Sequence, residues 1–161
     1  MPVDAQQLTE LIEQHAGSLR LWIRSRCASE EDVVQEAFCR LATQEPSPDN
    51  PVAWLYRVCR NLAEKQRISD GRRRRREHEW AQAKLATSDF ADPSYLTEAL
   101  AVVEGLEQEL REVLVARLWG RLSLEEVGKL CGISTATAFR RYEASLQAVR
   151  AKMLPHNEEG P

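Results

Sequence analysis

Ser123-Leu-Glu-Glu-Val-Gly-Lys-Leu-Cys-Gly-Ile-Ser-Thr-Ala-Thr-Ala-Phe-Arg-Arg141 carries two helix starts and one helix stop in quick succession. Ser123 and Glu126 have the form of a capping box, in which hydroxyl and carboxylate satisfy each other's backbone amides. Leu124, Val127, Leu130 and Cys131 follow at helical spacing, and Gly132 suits the stop. Ser134 is placed to cap the next helix, whose core stripe is Ala138, Tyr142, Leu146, Val149 and Met153. Gly128, four residues before Gly132, lets the two helices cross closely, so the stretch reads as a helix-turn-helix. Residues near the start of a recognition helix reach major-groove edges, and arginine is the commonest partner of guanine there. That places Thr135, Ala136, Thr137, Phe139 and Arg140 at the groove, Arg140 foremost, with Arg141 toward phosphate.

Working outward, Leu106, Leu110, Val113 and Leu114 keep helical spacing in a supporting helix just upstream. No stretch combines alternating polarity with β-branched enrichment, so the fold class is all-α. A first helical block runs from about Asp4 to about Arg76, interrupted by the proline-rich loop Glu45 to Pro51, and a second from about Thr97 to Leu154. Between them Ala86-Thr-Ser-Asp-Phe-Ala-Asp-Pro-Ser94 is rich in small and turn-forming residues. The expected organisation is two small helical domains, residues 1–78 and 99–154, joined by a flexible linker at 79–98 and followed by a tail at 155–161.

The 161 residues are 43% hydrophobic and 29% charged, a globular composition. No run approaches the roughly 20 apolar residues of a membrane span, and the first residues lack the pattern of a secretory signal, so the expected location is cytoplasmic, without membrane insertion. Cys27, Cys39, Cys59 and Cys131 lie far apart with no histidine at ligand spacing, which favours buried free thiols over a metal site or disulfides. The net charge of −3 hides an asymmetry. Residues 51–90 hold 10 Lys/Arg against 5 Asp/Glu, while residues 1–50 hold 4 against 9 and residues 91–161 hold 8 against 11. A basic island in an acidic chain suits local nucleic-acid binding beside an acidic surface for a protein partner. With no nucleophile and base, no metal-ligand set and no phosphate-binding glycine loop in the sequence, an enzyme is not expected, nor a cofactor.

Two further helices carry binding equipment. Ser29-Glu-Glu-Asp32 has the form of a second capping box, and the helix it starts has the apolar stripe Val33, Val34, Ala37, Phe38 and Leu41. Asp32, Gln35 and Glu36 fall on another face, which is left free. After the proline-rich loop, Leu55, Val58, Cys59 and Leu62 make a core stripe while Trp54, Arg57, Asn61 and Lys65 line the other side. An aromatic ring, a guanidinium, an amide and an ammonium in a row offer stacking, phosphate contact and base-edge hydrogen bonds, which suits single-stranded nucleic acid. The run Arg72 to Arg76, with Arg72, Arg73 and Arg74 at its head, repels itself and needs counter-charge or solvent.

Glu31-Asp-Val-Val-Gln-Glu-Ala-Phe-Cys-Arg-Leu41 resembles the polymerase-binding helix of sigma-70 class factors, usually close to E-D-L-V-Q-E-V-F-L-R-L. Asn50-Pro-Val-Ala-Trp-Leu-Tyr-Arg-Val-Cys-Arg-Asn-Leu-Ala63 resembles the segment F-x-x-W-L-Y-R-I-A-R-N-L-A of the same family, and Leu106 to Lys152 resembles its region 4. Together these resemble the extracytoplasmic-function (ECF) group, the minimal sigma factors with only regions 2 and 4. The resemblance implies that Asp32, Gln35, Glu36 and Arg40 face core RNA polymerase, and that Trp54, Arg57, Asn61, Lys65 and the arginine run take the −10 strand. It implies likewise that the helix-turn-helix holds −35 DNA and that an anti-sigma factor is a possible partner. Departures are Lys65, where many relatives have Asp, a short 44–51 loop, and Ala136-Thr-Ala-Phe-Arg-Arg141 in place of the usual G-T-V-K-S-R. The competing expectations are a stand-alone helix-turn-helix regulator and a sigma-like adaptor.

Overall fold

Asp4 starts the first helix: its carboxylate accepts the Gln7 amide proton at 2.8 Å. A computed structural model describes residues 1–70 and 93–153, and every regular element in them is an α-helix. In order these are α1 (Ala5–Ile23), α2 (Glu30–Thr43), α3 (Pro51–Asp70), α4 (Pro93–Glu104), α5 (Gln108–Leu118), α6 (Leu124–Cys131) and α7 (Thr135–Met153). The all-α expectation holds.

Helices α1, α2 and α3 pack on one another. All five residues of the α2 stripe, Val33, Val34, Ala37, Phe38 and Leu41, are buried, as are Leu55 and Cys59 of α3; Val58 and Leu62 are half-buried. Asn50 caps α3, its side-chain oxygen accepting from the Ala53 amide at 3.0 Å, and Pro51 fills the first helical position, where its missing N–H is not needed. Tyr56 is fully buried, edge-on to Trp22 with ring centroids 5.3 Å apart, and its hydroxyl donates to Ser18 Oγ.

The second block centres on α5, where six successive residues from Arg111 to Ala116 are buried. Cover on every side fits a helix that contacts α7, α6 and α1. The capping box at Ser123 forms as expected, with both hydrogen bonds made, and Gly132 ends α6 in the left-handed region at φ 69°. A Cβ on Gly128 would lie 2.9 Å from the Ile133 carbonyl oxygen, so the close crossing of α6 and α7 does require glycine there. Ala138 is fully buried, with Tyr142, Leu146 and Val149 packed against the core and Met153 half-buried.

Three expectations differ from the structure. Ser29 precedes α2 but makes no side-chain cap bond, because its backbone at ψ 73° departs from the extended geometry of a capping residue. Helix α4 begins at Pro93, within the stretch read as linker, while residues 79–92 of that linker and the 155–161 tail lie outside the described residues. The four cysteines are free thiols, but only Cys27 and Cys59 are buried; Cys39 is exposed on α2 and Cys131 is half-buried. Burial, with the neighbouring Cys27, pushes the Cys59 thiol up to about 12, which makes it inert.

The two blocks meet where α1 lies against α5. Trp22 Nε1 donates to the Glu112 carbonyl at 3.2 Å, Arg26 pairs with the Glu112 carboxylate, and Arg111 donates to the Arg24 carbonyl at 2.9 Å and to Ser25 Oγ. Arg60 of α3 reaches the Leu130 carbonyl at the end of α6. Ser25, at φ 70°, holds the left-handed conformation that L side chains avoid, and the Arg111 contact helps fix it.

Candidate nucleic-acid and partner interfaces

The buried stripe of α2 fixes what its other side displays. Asp32, Gln35, Glu36 and Arg40 are all exposed, one turn apart along the helix. Arg40 and Glu36 form an i,i+4 ion pair at 2.8 Å with both side chains about half exposed, so water can replace either partner at little cost. Next to this row an apolar groove of about 420 Å³ runs between α1 and α2. It is lined by Leu8, Ile12, Val34, Gln35, Phe38 and Cys39, among others. Sequence reasoning missed Leu8 and Ile12, although Ile12 at 40% exposure in an otherwise well-packed helix marks an uncovered apolar surface.

On α3, Arg57, Asn61 and Lys65 are exposed, whereas Trp54 is half-buried and packed against the core. Its ring therefore serves packing first, with part of its surface left open. Asn61 opens into a cleft of about 440 Å³ that it shares with Ser25, Arg26, Arg60, Glu64, Arg67 and Gln108. Arg26, Arg60 and Arg67 were not singled out by the sequence; their convergence on Asn61 needs the fold. Arg72, Arg73 and Arg74 lie outside the described residues.

Helix α7 begins with Ser134 as its cap, the hydroxyl accepting from the Thr137 amide at 3.1 Å. Thr135, Ala136, Phe139 and Arg140 are exposed around its first two turns and Thr137 is half-buried. The Thr137 hydroxyl accepts from Ser134 Oγ at 2.9 Å and from Arg140 at 3.2 Å, which steadies the guanidinium beside the helix start. Phe139 is 48% exposed, an unsheltered ring at the same place. Arg141, by contrast, is turned to α5 and paired with Glu109 at 3.2 Å. A phosphate would compete with that carboxylate for it.

Arg111 and Glu112 are 3% and 4% exposed, and sequence reasoning gave neither a role. Burial lowers the affinity of the Arg111 guanidinium for its proton; for Arg26 burial acts the same way, but the hydrogen bond and charge of Glu112 outweigh it and the net shift is upward.

Among the described residues every regular element is a helix, with a capped helix-turn-helix toward one end and an acidic, exposed helix face toward the other. Residues 11–77 match the family Sigma-70 region 2. The ECF RNA polymerase sigma factor EcfG of Rhodopseudomonas palustris is 31% identical over 138 residues, covering 80% of this chain and 74% of that protein. The chain belongs to the ECF group of sigma-70 family RNA polymerase sigma factors. The probable RNA polymerase sigma factor RfaY of Xanthomonas campestris and the ECF sigma factor SigJ of Mycobacterium tuberculosis are each 28% identical, over 85% and 89% of this chain. The chain spans only 37% of RfaY and 49% of SigJ, so those proteins extend well beyond what is matched. Its fold is like that of the Bartonella quintana sigma factor RpoE, solved with the anti-sigma factor NepR, with a TM-score of 0.59 at 18% identity over 90% of this chain and 94% of that one.

Proposed function

We propose that this chain is an alternative sigma factor that binds core RNA polymerase and directs it to promoters. One observation carries the reading: α2 buries its whole apolar stripe and leaves Asp32, Gln35, Glu36 and Arg40 exposed together, the row that the sigma resemblance assigns to polymerase. In this reading Arg57, Asn61 and Lys65 of α3, with the accessible part of Trp54 and the run Arg72 to Arg74, take the opened −10 strand. Thr135, Ala136, Thr137, Phe139 and Arg140 read the −35 duplex from the start of α7, and Arg141 is released from Glu109 when it meets phosphate. The protein acts as a binding factor, not an enzyme, and works in the cytoplasm; no described helix is long and apolar enough to cross a membrane. An anti-sigma factor is a further proposed partner, since RpoE, the sigma factor of like fold, was solved with one.

The test is gel filtration of the purified chain with bacterial core RNA polymerase. The wild type is expected to co-elute, and Asp32→Arg with Glu36→Arg to weaken the complex by roughly 100-fold or more, because like charges then face each other across the contact. Both positions are exposed, so the variant should keep its fold. Co-elution unaffected by the reversal would remove the proposed docking face, and absence of co-elution by the wild type would favour the stand-alone DNA-binding regulator.

A further inference from the structure

The start of α7 holds its outward side chains in unequal ways. Ser134 Oγ accepts from the Thr137 amide at 3.1 Å and donates to Thr137 Oγ1 at 2.9 Å, and the same Thr137 oxygen accepts from the Arg140 guanidinium at 3.2 Å. Both lone pairs of that hydroxyl are therefore taken within its own helix. Thr137 is half-buried, whereas Ala136 and Arg140 are exposed one turn apart. The contact draws the Arg140 guanidinium back toward the first turn of α7, where a recognition helix meets base edges. It uses one of the five N–H groups of the guanidinium, so a two-donor fork remains. A hydroxyl also fixes direction without cancelling charge. Arg141, one residue on, gives its charge to the Glu109 carboxylate instead.

Phe139 poses the opposite problem. Its ring is 48% exposed, and among the described residues no other aromatic side chain is as open to solvent. Ala138, beside it, already fills the core position of this turn. An apolar ring gains nothing from phosphates or from the polar groups of a base edge. On the major-groove side of a base pair, the apolar group on display is the C5-methyl of thymine. Ser134, Thr135 and Ala136 are small and exposed, which lets the helix start come close to such an edge. Consecutive residues of a helix are separated by about 1.5 Å of rise, so Phe139 and Arg140 reach adjacent base pairs. Both depart from the G-T-V-K-S-R common in the family, where lysine and serine take these two places, so their readout is this chain's own.

We infer that the start of α7 reads a guanine beside a thymine in duplex DNA: Arg140, aimed by the Thr137 hydroxyl, donates to N7 and O6 of the guanine, and the Phe139 ring packs on the C5-methyl of the thymine at the adjacent base pair. The inference rests on the reading of α7 as the −35 helix and names the base pairs that helix prefers. Among the five residues proposed to read the duplex, the roles then divide. Arg140 and Phe139 choose bases, Thr137 is a positioning residue that acts through Arg140, and Thr135 and Ala136 admit the helix to the groove.

The experiment is selection from randomised duplexes by the full chain, alone and with core polymerase, followed by affinity measurements on the selected duplex carrying single modified bases. The selected site should contain a guanine with thymine, on either strand, in the adjacent pair. For the wild type, 7-deazaguanine, which lacks the N7 acceptor, should weaken binding about tenfold, whereas hypoxanthine, which lacks only the minor-groove amino group, should not. Uracil in place of the thymine should weaken it about fourfold, the loss of one buried methyl. Phe139→Ala should abolish the uracil effect and keep the 7-deazaguanine effect, and Arg140→Ala should do the reverse. Thr137→Val should remove most of the 7-deazaguanine effect and Thr137→Ser restore it, a rescue tied to the hydroxyl that a merely structural role would not produce. The wild type on modified bases decides even if a variant misfolds. Selection of no site, or of one without guanine, would overturn the inference, as would a wild type indifferent to 7-deazaguanine or to uracil. If core polymerase does not assemble with the chain but the same site is selected, the sigma reading fails and the readout stands; if polymerase assembles and neither modified base matters, the readout alone fails.

Discussion

Helices α2 and α5 carry similar mixtures of charge and treat them in opposite ways. Asp32, Glu36 and Arg40 of α2 stand in water over a buried apolar stripe, while Arg111 and Glu112 of α5 sit in the middle of six consecutive buried residues. The first arrangement leaves charge available to a partner and asks little of the fold, because exposed ion pairs contribute at most about 1 kcal/mol. The second ties the fold to those charges, because a carboxylate taken out of water must keep its hydrogen bonds. On this comparison, display marks a surface for other molecules and burial marks a contact within the molecule.

The comparison breaks most readily at Glu112. Glu112→Ala removes the carboxylate from Arg26 and from Gln108, and is expected to destabilise the chain by about 3 kcal/mol in urea unfolding, the scale of losing one partner of a buried pair. Glu36→Ala removes an equally charged group and its ion pair with Arg40, and is expected to change stability by less than about 0.5 kcal/mol. Equal losses for the two variants would show that exposure does not separate their roles.

The same contrast explains how much could be read in advance. The helices announced themselves because each apolar stripe follows the helical period, and the Ser123 capping box and Gly132 are local signals that need no tertiary context. The exposed row on α2 and the exposed start of α7 were legible as the complement of those stripes. Arg111 and Glu112 were not, because two adjacent charges within an apolar pattern look the same whether they meet water or another helix, and their partners lie nearly ninety positions away. The pairing of Arg141 with Glu109 was illegible for a similar reason, since Glu109 is close to it only once α5 and α7 have packed. The failed cap at Ser29 differs in kind, since the residues are right and the backbone at that corner turns the hydroxyl away from its use.

A buried histidine of α1 makes stability depend on pH. His15 is buried and its basicity is lowered, first by burial and then by Arg121 from the second block. Its folded pKa therefore lies below the unfolded value near 6.5, so the unfolded chain binds more protons in that window. The stability this neutral imidazole contributes is complete above about pH 6.5 and is lost as the pH falls toward the folded value, by at most about 1.4 kcal/mol per pH unit for one proton. Urea midpoints at pH 7.5 and 5.5 should therefore differ less in His15→Gln than in the wild type. An unchanged difference would place the acid sensitivity elsewhere.

The two capping serines give the smallest and most local form of the contrast. Both were read from one pattern, Ser followed three residues on by an acidic group, yet only Ser123 makes the bonds, its hydroxyl accepting from the Glu126 amide at 3.1 Å while the Glu126 carboxylate accepts from the Ser123 amide at 2.7 Å. Ser123→Ala leaves the Glu126 amide without its partner at the start of α6, and is expected to lower stability by about 1 kcal/mol. Ser29→Ala removes no cap bond and should cost no more than a few tenths of a kcal/mol. If the two substitutions cost the same, Ser29 closes its cap in solution, and the start of α2, which carries Asp32, is more firmly set than the backbone at Ser29 indicates.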